Sequence, residues 1–319
     1  MPWLYTGSLE NYPELVDQIS KRHHLLGNAA RTLSAVRDPL RVRDALEAAG
    51  LPSPRVGVDG EIALRGGRWL TKPLASAGGL GIREFDGLRS DPGAVYYQEW
   101  IDGPSLSSLF LGGGGEAEFV GAALQLIGRP GAPFAYAGNL GPWPLSTVER
   151  KRVERLGAVI GSTFRLVGLF GVDFILRDSW PWVVEINPRY TASVEVLELA
   201  TGRALLEEHV RACGGRPNVT RRPGRTKDAV FVGKRIVFAD RPCRFPSIRE
   251  DDLMIGRPEV EETPAVADIP QEGEPFQPGD PVLTVFARGT TVTDCFARLQ
   301  KREQMWIDRL GGDPETALR

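Results

Sequence analysis

Two spacings of apolar residues organise the 319-residue chain. From Asp38 to Ala49 the apolar positions Leu40, Val42, Ala45, Leu46 and Ala49 predict a helix. Asp38 is its expected N-cap, Pro39 takes the first turn, and Gly50 stops it. The same spacing predicts a helix over Val148–Leu166, where Val153, Leu156, Val159, Ile160 and Phe164 share a face. Further helices are expected over Asn11–Lys21, over Ser193–Cys213 with a break near Gly202, and over Thr291–Arg309.

Short β-rich runs predict strands at Trp69–Pro73, Ile82–Phe85, Ala94–Ile101, Leu106–Leu111, Ala117–Ile127, Ala229–Phe238 and Pro281–Phe286. Leu51–Val58 is a proline-marked connection into a further strand. Ala75–Gly81 is a glycine-rich loop, Gly112–Gly115 suits a hairpin tip better than a mobile loop, and Gly273–Asp280 holds turns. Val172–Leu176 and Trp182–Ile186 pair as a hairpin across the polar connector Arg177–Pro181. Glu185 and Asn187, two apart, face the same side, and Asp173 meets them across the ladder if the hairpin pairs as written. Three hard oxygen ligands on an otherwise apolar sheet suit Mg²⁺, whereas a solvated hairpin face is the plain alternative.

Composition narrows the class. Hydrophobic content of 42% and charged content of 25% are those of a globular protein, and the length suggests two or three domains. A net charge of −2 provides no field to recruit nucleic acid or an anionic membrane. No run reaches the roughly 20 apolar residues of a membrane helix. Cys213, Cys243 and Cys295 have no pairing pattern, and the amino terminus has no signal-peptide pattern, so a cytoplasmic protein is expected.

Lys72 precedes the glycines Gly78, Gly79 and Gly81, so an ammonium and backbone N–H groups can face polyphosphate. The spacing is that of neither a P-loop nor a dinucleotide fingerprint. Taken alone, it equally fits a flexible hairpin with a surface lysine. Gln98–Gly103, QEWIDG, carries Glu99 and Ile101 at a strand end that can line a purine, and alone it reads more simply as a strand-to-turn transition. His23, His24 and His209 lack ligand spacing and read as structural.

In combination, the lysine and glycine loop, QEWIDG, and Asp173…Glu185-x-Asn187-x-Arg189 resemble the ATP-grasp superfamily. Glu198–Gly202, Gly233–Phe238 and Gly279–Val285 resemble its carbamoyl-phosphate-synthase and biotin-carboxylase branch. The resemblance implies an α+β fold in which two α+β subdomains clasp ATP, with a small β-rich C-terminal region. It implies an ATP-grasp body at 37–213 with a lid near 68–105, a linker at 214–226, and a C-terminal subdomain with a closing helix at 227–319. Lys72 would contact phosphate, and Gly78, Gly79 and Gly81 would form the lid loop. Glu99 and Ile101 would line adenine, and Asp173, Glu185 and Asn187 would bind Mg²⁺, with Mn²⁺ a substitute. Arg189 would face the acyl or terminal phosphate, making it catalytic together with Lys72.

Three departures qualify what is inherited. Relatives carry Asp-Lys at the start of the first helix, where this chain has Asp38-Pro39 flanked by Arg37 and Arg41. Either an arginine substitutes or that phosphate contact is missing. Ser193 stands where biotin carboxylases have a glutamate base, and serine cannot be that base at neutral pH, which argues against bicarbonate. Residues 1–36 correspond to a remnant of a front domain of roughly a hundred residues. A misplaced start, a lost domain, or a partner chain or second copy that supplies it would each account for this.

The implied reaction activates a carboxylate as an acyl phosphate and joins it to an amine, both small molecules. YAGNLGPWPL at 136–145 and NPRYTASVEVLE at 187–198 resemble small amine–amino acid ligases such as tyramine–glutamate ligase, which serve cofactor biosynthesis. Tyr190, Thr191 and Ser193 would lie near the acceptor, with Tyr136 and Asn139 either lining the same cleft or packing in a loop. A non-catalytic ATP-binding subunit or sensor, and a bicarbonate-activating carboxylase, are the alternatives.

Overall fold

The computed structural model describes residues 1–59, 66–87, 94–129, 131–216, 230–248, 252–255 and 263–311. The part of the expected linker beyond Arg216 lies outside them. The chain gathers into two compact units whose segments interleave. The first comprises Met1–Leu124, Pro144–Val194 and Ala204–Arg222, and the second Gln125–Trp143, Glu195–Arg203 and Pro223–Arg319.

In the first unit, the helix Pro39–Ala48 begins where expected: the Asp38 carboxylate accepts from the N–H groups of Leu40 and Arg41. Gly50, at φ +64°, ends it. A second helix, Thr147–Phe164, opens on a capping box in which Ser146 and Glu149 each bond the other's backbone N–H. Val153, Leu156 and Ile160 are fully buried along its inner face. Gly157 lies there against Phe110, where an added Cβ would stand 2.0 Å from the ring.

Phe110 belongs to the strand Ser105–Gly113, stacks on Phe170 at 5.2 Å, and forms core with it. That strand pairs antiparallel with Ala117–Arg129 on one side, so the tetraglycine leads into a hairpin tip, with Gly112 still paired to Ala117 and Gly114 and Gly115 in the turn. On the other side it pairs with Val167–Arg177, which in turn pairs with Trp180–Asn187. The turn between the last two is shorter than the expected five-residue connector. Asp178 and Ser179 both adopt left-handed φ, the requirement of a two-residue hairpin turn.

A smaller sheet orders its strands as Val56–Gly57, Val95–Glu99, Trp69–Pro73 and Arg83–Glu84. In its register Lys72 faces Tyr96, and Leu70 faces Gln98. Trp69 and Tyr97 are buried on the opposite face. The amino-terminal segment holds a 3-10 turn, Leu9–Asn11, and helices Pro13–Ser20 and Ala30–Val36. The second of these helices is not evident from the sequence. This segment packs Tyr5, Val16 and Leu33 into a cluster of its own.

The second unit takes up the strand Ala117–Arg129 at Gln125 and orders Ala132–Gly141, Phe231–Phe238, Pro281–Gly289 and Val266–Ala267 after it. The closing helix Val292–Leu310 is capped by Thr291 and buries Cys295, Leu299, Trp306 and Leu310. The break expected near Gly202 divides Ala192–Thr201 from Leu205–Ala212. The architecture is α+β. No helix among the described residues is long and apolar enough to cross a membrane.

Candidate active site

An open cleft of about 670 Å³ in the first unit is lined by Lys72, Gly79, Gln98, Arg37, Glu185 and Tyr96, among others. Lys72 is 8% exposed, which for an ammonium demands partners. Its Nζ donates to Gln98 Oε1 and to the Val184 carbonyl, each at 3.1 Å. It also lies 5.7 Å from the centroid of the Tyr96 ring. The bond to Val184 ties the lysine strand to the hairpin that carries Glu185.

The glycine loop begins directly after the lysine strand. Gly78, Gly79 and Gly81 have φ of +62°, +73° and +76°, a conformation that favours glycine. At Gly81 a Cβ would also stand 2.9 Å from Pro73 Cγ. Gly79 lines the cleft, whereas Gly78 faces open space.

Across the cleft the hairpin pairs Asp173 with Glu185 and Gly171 with Asn187. Asn187 Nδ2 donates to Asp173 Oδ2 at 3.0 Å, so the three expected oxygen-bearing side chains share one face. Among the described residues, no group of three or more His, Cys, Asp or Glu side chains could hold a metal ion. The set offers two carboxylates and an amide oxygen. That suits Mg²⁺, which uses one or two carboxylates and completes its shell with phosphate and water.

Arg37 stands at this same place. Its Nη1 contacts Glu185 Oε1 at 2.5 Å, and its Nη2 donates to the carbonyls of Leu74 and Ser76 at 3.1 and 3.2 Å. Arg41 instead is exposed beside Asp38. Of the two arginines flanking Asp38-Pro39, only Arg37 reaches the cleft.

Arg189 is held from a distant part of the chain. Its Nε and Nη2 bond the same Oε1 of Glu10, at 2.8 and 2.5 Å. Nη2 also donates to Asn187 Oδ1 at 3.3 Å, and Nη1 to the Tyr190 carbonyl at 3.1 Å. Burial acts to lower the pKa of this guanidinium, but the Glu10 hydrogen bond and the charges of Glu10, Glu185 and Asp173 outweigh it and raise the pKa. Ser193 is buried and bonded to Thr191 Oγ1 at 2.9 Å.

Glu99 and Ile101, both expected to line adenine, are not among the residues lining this cleft. Glu99 is on the sheet face opposite Lys72, where it bonds the backbone N–H and the guanidinium of Arg55, both at 3.1 Å. Ile101 is buried beyond the strand end. Strand alternation places Gln98 in the cleft instead. Tyr136 and Asn139 lie on a strand of the second unit, where the Tyr136 hydroxyl donates to Asn139 Oδ1 at 2.5 Å. Glu10 carries no sequence signal, because its partner is 179 positions away.

Comparison with known proteins agrees with this architecture. Residues 36–193 match the family model described as the ATP-grasp domain. These residues form an ATP-grasp domain. It is 28% identical over 225 residues to an uncharacterized protein of Methanocaldococcus jannaschii, an overlap of 69% of this chain and 50% of that protein. It is also 28% identical over 259 residues to the formate-dependent phosphoribosylglycinamide formyltransferase of Bordetella pertussis, covering 72% and 64% of the two chains. Thus the chain spans about half to two thirds of the length of these relatives. Among solved structures, it superimposes on the biotin carboxylase domain of 2-oxoglutarate carboxylase from Hydrogenobacter thermophilus, solved with MgADP, ADP and bicarbonate. That match has a TM-score of 0.70 and 16% identity, covers 94% of this chain and 73% of that one, and bears on the fold alone.

Proposed function

We propose that this protein is an ATP- and Mg²⁺-dependent ligase that activates a carboxylate as an acyl phosphate and joins it to an amine. The observation that carries the reading is the single cleft in which Lys72, the glycine loop, Arg37 and Glu185 converge. One buried ammonium and one guanidinium beside a glycine loop suit a polyphosphate. The formyltransferase relative, by its name, depends on formate, itself a carboxylate.

Each residue then has a role. Lys72 neutralises charge on the phosphates, and Gly78, Gly79 and Gly81 close over them and exclude water. Gln98 takes the place in the nucleotide pocket expected of Glu99, with Tyr96 beside it. Asp173, Glu185 and Asn187 would hold Mg²⁺, which supplies positive charge where the phosphoryl oxygens gain negative charge. Arg189 faces the carboxylate and the phosphoryl group it receives. The γ-phosphoryl passes to a carboxylate oxygen, giving ADP and an acyl phosphate. The amine then attacks the acyl carbon, the C–N bond forms as the C–O bond to phosphate breaks, and the amine gives up a proton. No protein nucleophile is needed.

The test is ADP release across a panel of carboxylate–amine pairs, with glutamate and tyramine among the first. Release requiring both partners, with ¹⁸O passing from labelled carboxylate into inorganic phosphate, is the expected result. Binding of Mg-ATP with no turnover for any pair would make the protein a sensor or subunit. Release dependent on bicarbonate alone would make it a carboxylase.

A further inference from the structure

The amino-terminal turn contributes a buried anion to a site otherwise built from residues 37–193. Glu10 is 2% exposed and sits on the 3-10 turn Leu9–Asn11. Both of its hydrogen bonds to Arg189 fall on Oε1. Oε2 is buried with no hydrogen-bond partner. A carboxylate oxygen left so is costly, and a pair serving stability alone would be better replaced by apolar packing.

The geometry of Arg189 indicates what this arrangement does. A guanidinium has five N–H donors. Glu10 takes two, Asn187 Oδ1 one, and the Tyr190 carbonyl one. The fork is thereby fixed in plane and rotation, with its remaining Nη1 N–H free of these bonds. It bridges Glu10 to Asn187, whose amide holds Asp173. The neighbouring Asn11 donates from Nδ2 to the Ser76 carbonyl of the glycine loop at 3.2 Å. One short turn thus touches both Arg189 and the loop that follows Lys72.

We propose that Glu10 is a positioning residue: it orients Arg189 toward the carboxylate substrate and so makes the amino-terminal segment a working part of the site. The inference rests on the ligase reading for what Arg189 binds, but not for how Arg189 is held. Fixing a guanidinium in advance lowers the ordering cost when an anion binds. Glu10 touches no reacting atom, so its removal should act through Arg189 and weaken capture of the carboxylate more than it weakens nucleotide binding.

The experiment compares wild type with Glu10→Gln and Glu10→Asp in the full chain. The first readout is NMR of the arginine Nε–H groups without substrate, with the Arg189 signal assigned by its loss in Arg189→Lys. Wild type should show an exchange-protected Arg189 Nε–H, and Glu10→Gln should lose that protection. The second readout is KM for the carboxylate, expected to rise about tenfold or more in Glu10→Gln, with Glu10→Asp intermediate and the dissociation constant for Mg-ATP changed less than the carboxylate KM. Should Glu10→Gln fail to fold, Glu10→Asp against wild type gives the same comparison. Unchanged exchange protection, or one carboxylate KM in all folded variants, overturns the proposal. If no carboxylate–amine pair turns over while exchange protection still follows Glu10, the ligase reading fails and the positioning of Arg189 stands.

Discussion

Arg37 divides its guanidinium between a carboxylate of the hairpin and two carbonyls of the glycine loop. Its side chain is 15% exposed and that of Glu185 34%, so the pair is only partly screened by water. Arg37 meets the charge of Glu185 and ties the loop to it. Arg37→Ala should therefore speed amide hydrogen exchange over Ala75–Gly81. It should also strengthen Mg²⁺ binding to the nucleotide-free protein, because Glu185 loses its competing partner. Slower exchange in the loop, or weaker Mg²⁺ binding, would contradict this account. At this scale the shared face of Asp173, Glu185 and Asn187 and the strand position of Lys72 were legible, because their spacing on short strands is local. The face that Glu99 takes was not legible, because it depends on the register with Trp69–Pro73. Nor was Glu10, whose partner is remote in sequence.

Among the elements, the two strands Val167–Arg177 and Trp180–Asn187 depend on how Val167–Arg177 is held at its start. There Gly168 has φ +69°, and a Cβ would stand 2.5 Å from His209 Nδ1. His209 is buried; its Nδ1 accepts from the Leu169 N–H at 2.8 Å, and its Nε2 donates to the Leu26 carbonyl at 3.0 Å. These bonds need the neutral imidazole, since protonating Nδ1 removes the acceptor. Burial lowers the pKa of His209 below its ordinary 6.5, against the smaller raising effect of the Leu26 carbonyl. A group with a depressed folded-state pKa here binds its proton more readily when unfolded. The stabilisation of the neutral form is thus full above pH 6.5 and declines as pH falls below it. Melting temperature should drop between pH 7 and 5 in wild type, and less steeply in His209→Asn. Equal slopes would remove His209 from this role. The structural reading of this histidine was available from its lack of ligand spacing, but its bridge to Leu26 was not.

Across the whole molecule, the elements with strong periodicity or clear punctuation were legible: the helix at Asp38–Ala49, the lysine strand, the hairpin and the closing helix. Ala132–Gly141 escaped because APFAYAGNLG is rich in glycine and alanine, which do not mark a strand. Ala30–Val36 escaped because ARTLSAV has no side-chain cap at its start. Ala132–Gly141 contributes nothing to the cleft, whereas Ala30–Val36 lines it through Val36 and ends on Arg37. The central claim is that this cleft binds nucleotide through Lys72 and a Mg²⁺ held by Asp173, Glu185 and Asn187. Calorimetric titration of Mg-ATP into wild type and Glu185→Gln tests it most directly, with circular dichroism confirming that the variant is folded. The account predicts saturable, Mg²⁺-dependent binding in wild type and an affinity lower by about tenfold or more in the variant, roughly the loss of one charge-assisted contact. Binding of wild-type strength in folded Glu185→Gln, or none in wild type, would contradict it.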